Sequence, residues 1–407
     1  MVAAPLSGRR AGLVTLVLAL LSIFPPLATD MYLSAMGALA ESLEASESAV
    51  EMSLSLFFLG LCVGQLLIGP LLDRFGRKGP LLAGTLLFVT TSIGLLLVHD
   101  VVVFNTLRFF QAVGACAGMV VGRAIVSDLY EGRRAAQVLT ILVMLMTLGP
   151  ILAPFLGSLL LSGLGWRSIF ITMVGVGVVA LALSWVVIPE TYPPEKRRPG
   201  ALTGALRHFG VLAVRPAFIL PALVAGLVQA AMFAFITGSS GVFQDSFGLS
   251  SLAYGLLFGF IAAALVVFGK VNELLLNRYS AEAIMTIGLP IYVVASGALL
   301  LVSGTTQLWL LVIPMWLSIG LVGLLSANAM SIAMEGAGIG SAAIGGIQFG
   351  LAFATSSAVA MSEAEGAGPM ATAIFVTALA GAGLWSLQRR WFAPRRSAES
   401  GLRGDAA

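Results

Sequence analysis

The sequence predicts an all-α integral membrane protein: twelve transmembrane helices in two six-helix bundles around a central cavity. Three observations carry this. The 407-residue chain is 58% hydrophobic and only 10% charged, where a soluble domain holds about 25% charged residues. Apolar windows of about 20 residues, the length that crosses a hydrocarbon core, recur along the whole chain. The basic residues also gather on one side of the topology those windows imply, as they do around membrane-spanning helices.

The windows fall at 11–36, 49–72, 79–98, 101–125, 135–161 and 168–188, then at 216–239, 252–275, 283–302, 307–334, 340–360 and 369–387. Arg9-Arg10 before an apolar run and Pro25-Pro26 has the outline of a signal peptide. The run resumes after the prolines, so it is read as the first span. The longest polar connection lies in the middle, which divides the chain into a bundle over 1–188, a cytoplasmic linker over 189–215 and a second bundle over 216–390. The tail, 391–407, is expected to be disordered.

With the N-terminus inside, every basic residue except Arg108, Arg123 and Arg167 falls in an inner segment. The outer loops are acidic instead, with Glu41, Glu44, Glu47, Asp100, Asp245, Glu363 and Glu365. An odd number of spans would destroy this asymmetry, so both termini are expected inside. Lys196-Arg197-Arg198 in the linker serve as a topology anchor, and the cluster would also favour an anionic inner leaflet. Cys62 and Cys116 fall inside spans, so no disulfide framework is expected. His99 and His208 sit far apart in loops, which argues against a histidine-built metal site. The net charge of +3 gives no indication of nucleic acid as a partner.

Asp30 stands near the end of an otherwise uncharged apolar window. A carboxylate in hydrocarbon costs roughly 2.5–3.5 kcal/mol and marks a functional position with a partner to be found. The first span runs outward, placing Asp30 about 9 Å from its outer end, and the fourth runs inward, placing Arg108 about 10 Å below the same surface. The two charges are therefore expected to face a central cavity and to interact, directly or through water. A carboxyl whose surroundings alternate between wet and dry changes its proton affinity, as a proton-coupled carrier requires. A static ion pair that fixes packing is the alternative.

The loop after the second span reads Gly69-Pro70-Leu71-Leu72-Asp73-Arg74-Phe75-Gly76-Arg77-Lys78. This G-x-x-x-D-R-x-G-R-K pattern resembles the signature of the major facilitator superfamily, and the resemblance extends over the whole chain. It implies two pseudo-symmetric halves and an inner gate in which Asp73 and Arg77 pair with Asp128. Asp73 would also lie near the N-terminus of the eleventh span, around Gly340-Ser341. Gly69 is expected to permit close helix contact and Gly76 a tight turn. The corresponding stretch of the second half, 270–279, keeps only scattered charges. Arg108-Phe109-Phe110-Gln111 resembles the fourth-span motif of proton-linked members, with Ala112 where glycine is usual. The run from Leu148 to Gly157, containing Gly149, Pro150, Pro154 and Gly157, resembles the fifth-span motif of antiporters. Asp30-Met31-Tyr32-Leu33, Gly165-Trp166-Arg167 and Pro189-Glu190-Thr191 resemble the Bcr/CflA branch of drug:proton antiporters, although Ser34 replaces its usual proline. Some related exporters carry a second carboxylate in the first span, and Leu21-Ser22-Ile23 has none.

The resemblance implies a proton-coupled exporter of small, largely apolar compounds, working by alternating access in the bacterial inner membrane. Its energy source would be the proton gradient, with no cofactor and with the bilayer and small molecules as partners. A monomer is expected, since the two halves complete the cavity. A dedicated exporter of one metabolite or self-made antibiotic is the alternative. Tyr32, Gln111, Met119, Gln229, Met232, Phe233, Asn328 and Gln348 are the candidate cavity residues, by their polar or soft side chains within spans. Phe235 is read as packing, and Arg123 either bonds neighbouring carbonyls or joins the gate. No H-E-x-x-H or G-x-S-x-G run is present, so no enzymatic constellation is expected.

Overall fold

The computed structural model describes residues 8–197, 200–335, 341–362, 364 and 366–404, all of it helix, turn and loop. Among the described residues, twelve helices are long and apolar enough to cross a membrane. They are α1 (Arg10–Ser42), α2 (Glu47–Phe75), α3 (Lys78–Leu97), α4 (Val101–Leu129), α5 (Gly132–Leu164) and α6 (Arg167–Val187) in the first half. The second half holds α7 (Pro216–Ser246), α8 (Ser251–Leu276), α9 (Ala281–Leu301), α10 (Leu308–Glu335), α11 (Ser341–Ala360) and α12 (Gly368–Gly404). Each predicted window thus corresponds to one of these spans. Polar caps open four of them: Ser46, Ser250 and Ser280 each accept an amide hydrogen from the first turn, and Asp100 accepts two.

Three elements differ from expectation. The first span is not one helix: regular pieces Gly8–Ser22, Phe24–Asp30 and Met36–Ser42 are joined by a kink at Ile23 and a 3-10 turn, Leu33–Ala35. The last helix continues to Gly404, through most of the segment expected to be disordered. The linker contains its own helix, Ala201–Ala213.

Within the first half, α4 packs on both α2 and α3, and α3 on α6; in the second, α7 packs on α10, α11 and α12. The halves meet along α2–α11 and α5–α8. Small residues allow this close approach. A Cβ on Gly255 would lie 3.0 Å from the Pro154 carbonyl oxygen, and one on Gly345 would lie 2.9 Å from the Gln65 side chain. Gly64 does the same within the first half, 2.7 Å from the Cys116 Cβ. Gly69, expected to be the close-contact glycine, has open space where a Cβ would stand, with nothing within 4 Å. The contact is made one turn and more earlier on α2, because the face carrying Gly60 and Gly64 is the one turned toward α4.

Candidate functional site

The helix ends and loops at one end of the bundles carry Arg74, Arg77, Lys78, Arg133 and Arg134, and those at the other carry Glu41, Glu44, Glu47 and Asp100. These are called the basic and acidic ends below. At the basic end, α2 stops at Gly76, whose φ of +87° is one that a side chain rarely adopts. The turn delivers Arg77 into a network: its Nε donates to Asp128 at 2.9 Å, and its Nη1 reaches Asp73 at 3.4 Å. Arg74 lies instead over the ring of its neighbour Phe75. The pairing expected for Asp73, Arg77 and Asp128 is therefore present. Gly340, the expected neighbour of Asp73, lies outside the described residues, as do Arg198, Glu363 and Glu365.

The linker completes this network in a way that loop sequence alone did not reveal. Glu190 accepts from the main-chain amides of Arg77 (2.8 Å) and Lys78 (3.3 Å), the open N-terminus of α3, which has no side-chain cap of its own. A carboxylate there meets both unpaired donors and the positive end of the helix dipole. Thr191 donates to Asp128 at 2.8 Å, and the Tyr192 ring lies 4.0 Å from the Arg77 guanidinium carbon. The available signal was the acidic residue directly after Pro189, at the end of the sixth window.

Deeper in the first half, Asp30 is 1% exposed and Arg108 is fully buried. They form no ion pair. Arg108 instead donates to the Ala28 carbonyl at 2.7 Å and to Gln111 Oε1 at 2.5 Å, between the rings of Tyr32 (4.3 Å) and Phe57 (4.5 Å). The physical reason is the interruption of α1: Ala28 lies in the last turn of the piece ending at Asp30, where carbonyls lack helical partners and accept from side chains. Asp30 Oδ1 and Arg108 Nε are both buried without a hydrogen-bond partner. Tyr32 shares its hydroxyl with Ser53 at 2.7 Å.

Of the candidate cavity residues, two belong elsewhere. Gln111 is fully buried and spends its amide on Ser92 (2.8 Å) and Met173 Sδ (3.7 Å) as well as on Arg108. Asn328 donates to Asn272 at 2.6 Å and to the Leu324 carbonyl at 2.8 Å, which ties α10 to α8 inside the second half. A buried amide far from water must be satisfied by neighbours, and these are. Met119 and Met232 are buried. Gln229, Phe233 and Gln348 are half-buried, and Phe233 lies between Phe58 of the first half (4.5 Å) and Phe349 of α11 (5.8 Å). Phe235 packs on Phe258. Arg123 is exposed, and its side chain makes no hydrogen bond among the described residues.

The fifth-span residues pack α5 on both halves. Gly157 lies against the Met31 carbonyl in the broken part of α1 and Gly149 against Pro26, while the Pro154 and Ile151 carbonyls face Gly255 and Gly259 of α8. Pro150 is half-buried beside them.

Two six-helix bundles meeting along facing helices, with a charged network at the basic end of the first and a buried acid in its first helix, are the frame of a polytopic membrane transporter. The chain belongs to the major facilitator superfamily, whose family model matches residues 18–362. It is 30% identical over 388 residues to an uncharacterized MFS-type transporter, YdgK, of Bacillus subtilis (strain 168), covering 92% of this chain and 95% of that one. It is also 30% identical over 361 residues to a bicyclomycin resistance protein homolog of Haemophilus influenzae, covering 87% and 90%. The partially occluded, inward-open xylose transporter XylE from E. coli has the same fold, with a TM-score of 0.73 at 14% identity over 92% of this chain and 97% of that one. The family assignment read from the gate motif holds, as does the two-bundle architecture.

Proposed function

We propose that this protein exports small, largely apolar toxic compounds from the cell in exchange for protons, with the basic end in the cytoplasm. The relatives named for antibiotic resistance support the export of drugs. The observation that carries proton exchange is Asp30: a membrane-embedded carboxyl, 1% exposed, with one oxygen unpartnered and no cation paired to it among the described residues. Holding it charged in that place would leave a buried ion uncompensated, at a cost of several kcal/mol. The neutral acid avoids this cost, and on this reading the arrangement with Asp30 unpaired is the proton-loaded one.

Release then follows from a rearrangement. Arg108 already bonds the backbone two residues before Asp30, and its Nε has no partner. When substrate enters between the halves, a turn of the guanidinium toward Asp30 would give the charged carboxylate its counter-ion and expel the proton. Rocking of the halves about α2–α11 and α5–α8 would carry this exchange across the membrane. The half-buried Phe233, Gln229 and Gln348 are the side chains placed to meet an apolar ligand.

The test compares wild type with Asp30→Asn in a pump-deficient host over a panel of toxic compounds. Protection by wild type and its loss in Asp30→Asn, at equal membrane abundance, is the expected result. Full uphill, proton-driven export by Asp30→Asn would overturn the assignment. The breadth of protection separates a multidrug exporter from one dedicated to a single metabolite.

A further inference from the structure

The first helix of each half is irregular at the acidic end. In α1 the regular helix stops at Asp30 and resumes only at Met36, through the 3-10 turn Leu33–Ala35. In α7 the helix widens into a π segment, Gly241–Ser246. Interruptions of this kind inside a membrane bundle persist only where neighbours satisfy the released backbone groups, and π segments are frequent at functional positions. Here each interruption lies against the other.

The contact is specific. Ser240 donates from Oγ to the Leu33 carbonyl at 3.0 Å. Gln244 donates from Nε2 to Ser240 Oγ at 2.9 Å and reaches the same carbonyl at 3.5 Å. The Leu33 carbonyl also accepts the Met36 amide within its own 3-10 turn, so its second lone pair is the one offered across the interface. Leu33 is fully buried and Ser240 is 3% exposed. Among the described residues, no other side chain of the second half hydrogen-bonds the broken segment of α1.

A recess borders this same turn. A cavity of about 430 Å³ opens at the acidic end and is lined by Glu51, Gly238, Gly241, Asp245 and Ala360 among others. Gly241, on its wall, directly follows Ser240. Ser240 is bonded to Leu33, three residues after the buried carboxyl of Asp30. Ser240 and Gln244 thus join the helix that walls the recess to the segment that carries the acid.

We propose that Ser240 and Gln244 form a latch on the Leu33 carbonyl that closes the acidic end and keeps Asp30 sealed from the recess. They are positioning residues: they hold the broken segment of α1 rather than touch substrate. Opening the acidic end requires both bonds to break and the carbonyl to be rehydrated, so water reaches Asp30 in the same step that parts the halves. This rests on the reading of Asp30 as the coupling acid only for its consequence; the latch itself is tested without it.

The experiment replaces Cys62 and Cys116 by serine and Ser34, buried directly beside Leu33, by cysteine. Membrane vesicles of either orientation then receive an impermeant maleimide, with no drug and no proton gradient. Glu41→Cys, exposed in the last turn of α1 at the acidic end, identifies which vesicles present that face. In those vesicles, Ser34→Cys is expected to label slowly with the latch intact. It should label about five to ten times faster with Ser240→Ala and Gln244→Ala combined, the factor one or two lost buried hydrogen bonds give. Ser240→Thr, which keeps the hydroxyl, should stay slow. Equal rates in the parent and the double variant overturn the latch. Should the double variant not accumulate, Ser240→Ala alone must still accelerate labelling, and an unchanged rate overturns the proposal equally. Because no gradient is present, the outcome is independent of whether Asp30→Asn abolishes export.

Discussion

Glu190 is where the linker is fastened to the first half, and its removal has a local readout. Its carboxylate takes the amides of Arg77 at 2.8 Å and Lys78 at 3.3 Å, and pairs with Arg197 at 3.5 Å. Hydrogen bonds to a charged group contribute about 1.5–3 kcal/mol when buried, but the Glu190 side chain is 32% exposed, and solvent screens it. A net value of about 1–2 kcal/mol results, typical of a strong N-cap. Glu190→Ala should therefore raise hydrogen–deuterium exchange at the Arg77 and Lys78 amides by about 5–30-fold, the equilibrium factor for that free energy. Glu190→Gln keeps one acceptor but not the charge, and should fall between. Arg197→Ala removes only a partly exposed ion pair and should change exchange by less than about threefold. Exchange of the peptide that contains Arg77 and Lys78, measured by mass spectrometry on the purified protein, checks this. Unchanged exchange in Glu190→Ala, or an equal effect of Arg197→Ala, would refute the cap.

The two motif glycines separate sharply. Gly157→Ala drives a Cβ into the Met31 backbone, where no flexible side chain can yield, and should cost about 1–3 kcal/mol; Gly69→Ala meets open space and should gain a few tenths through helix propensity. Thermal unfolding of the purified pair in detergent tests both signs at once, and a destabilised Gly69→Ala would contradict the packing described. Arg108→Lys keeps the charge but loses the planar group stacked between Tyr32 and Phe57 and the fork that serves Ala28 and Gln111 together. Export should drop by more than about tenfold, measured as drug accumulation in cells at equal expression.

The spans were legible because hydrophobic length is a one-dimensional signal. Their ends were legible to within a few residues, and Ser46, Asp100, Ser250 and Ser280 fix where four of them begin. The interruption of α1 was not. Pro25-Pro26 announces a disturbance, yet the chain is helical through both and breaks after Asp30, in a stretch without proline or glycine. That break is imposed from outside, by Gly157 against Met31 and by Ser240 on Leu33. Depth failed in a similar way for Asp30 and Arg108. Rise per residue places both at one level, but which way each points depends on rotation about the helix axis, which packing decides. The Gln111 and Asn328 assignments missed for the same reason: a polar residue in a span faces either a cavity or a polar neighbour. Ser92 and Asn272, the neighbours here, are themselves unremarkable letters in apolar windows.

These external contacts give the broken segment of α1 its mechanical meaning. Arg108 of α4 holds the Ala28 carbonyl, Gly157 of α5 abuts the Met31 carbonyl, and Ser240 of α7 holds the Leu33 carbonyl. Three helices thus grip three backbone carbonyls within six residues, and Asp30 lies inside that interval. Two of the gripping helices belong to the first half and one to the second, so the halves cannot separate at the acidic end without changing the surroundings of the carboxyl. On the proposed reading the converse also holds: a change in the charge of Asp30 alters the hydration and hence the position of the segment that both halves grip. A regular helix would have used those carbonyls internally, leaving the acid's state with no backbone route to α7. On that reading, the irregularity of α1 is what would let a single buried acid act on the contact between the two bundles.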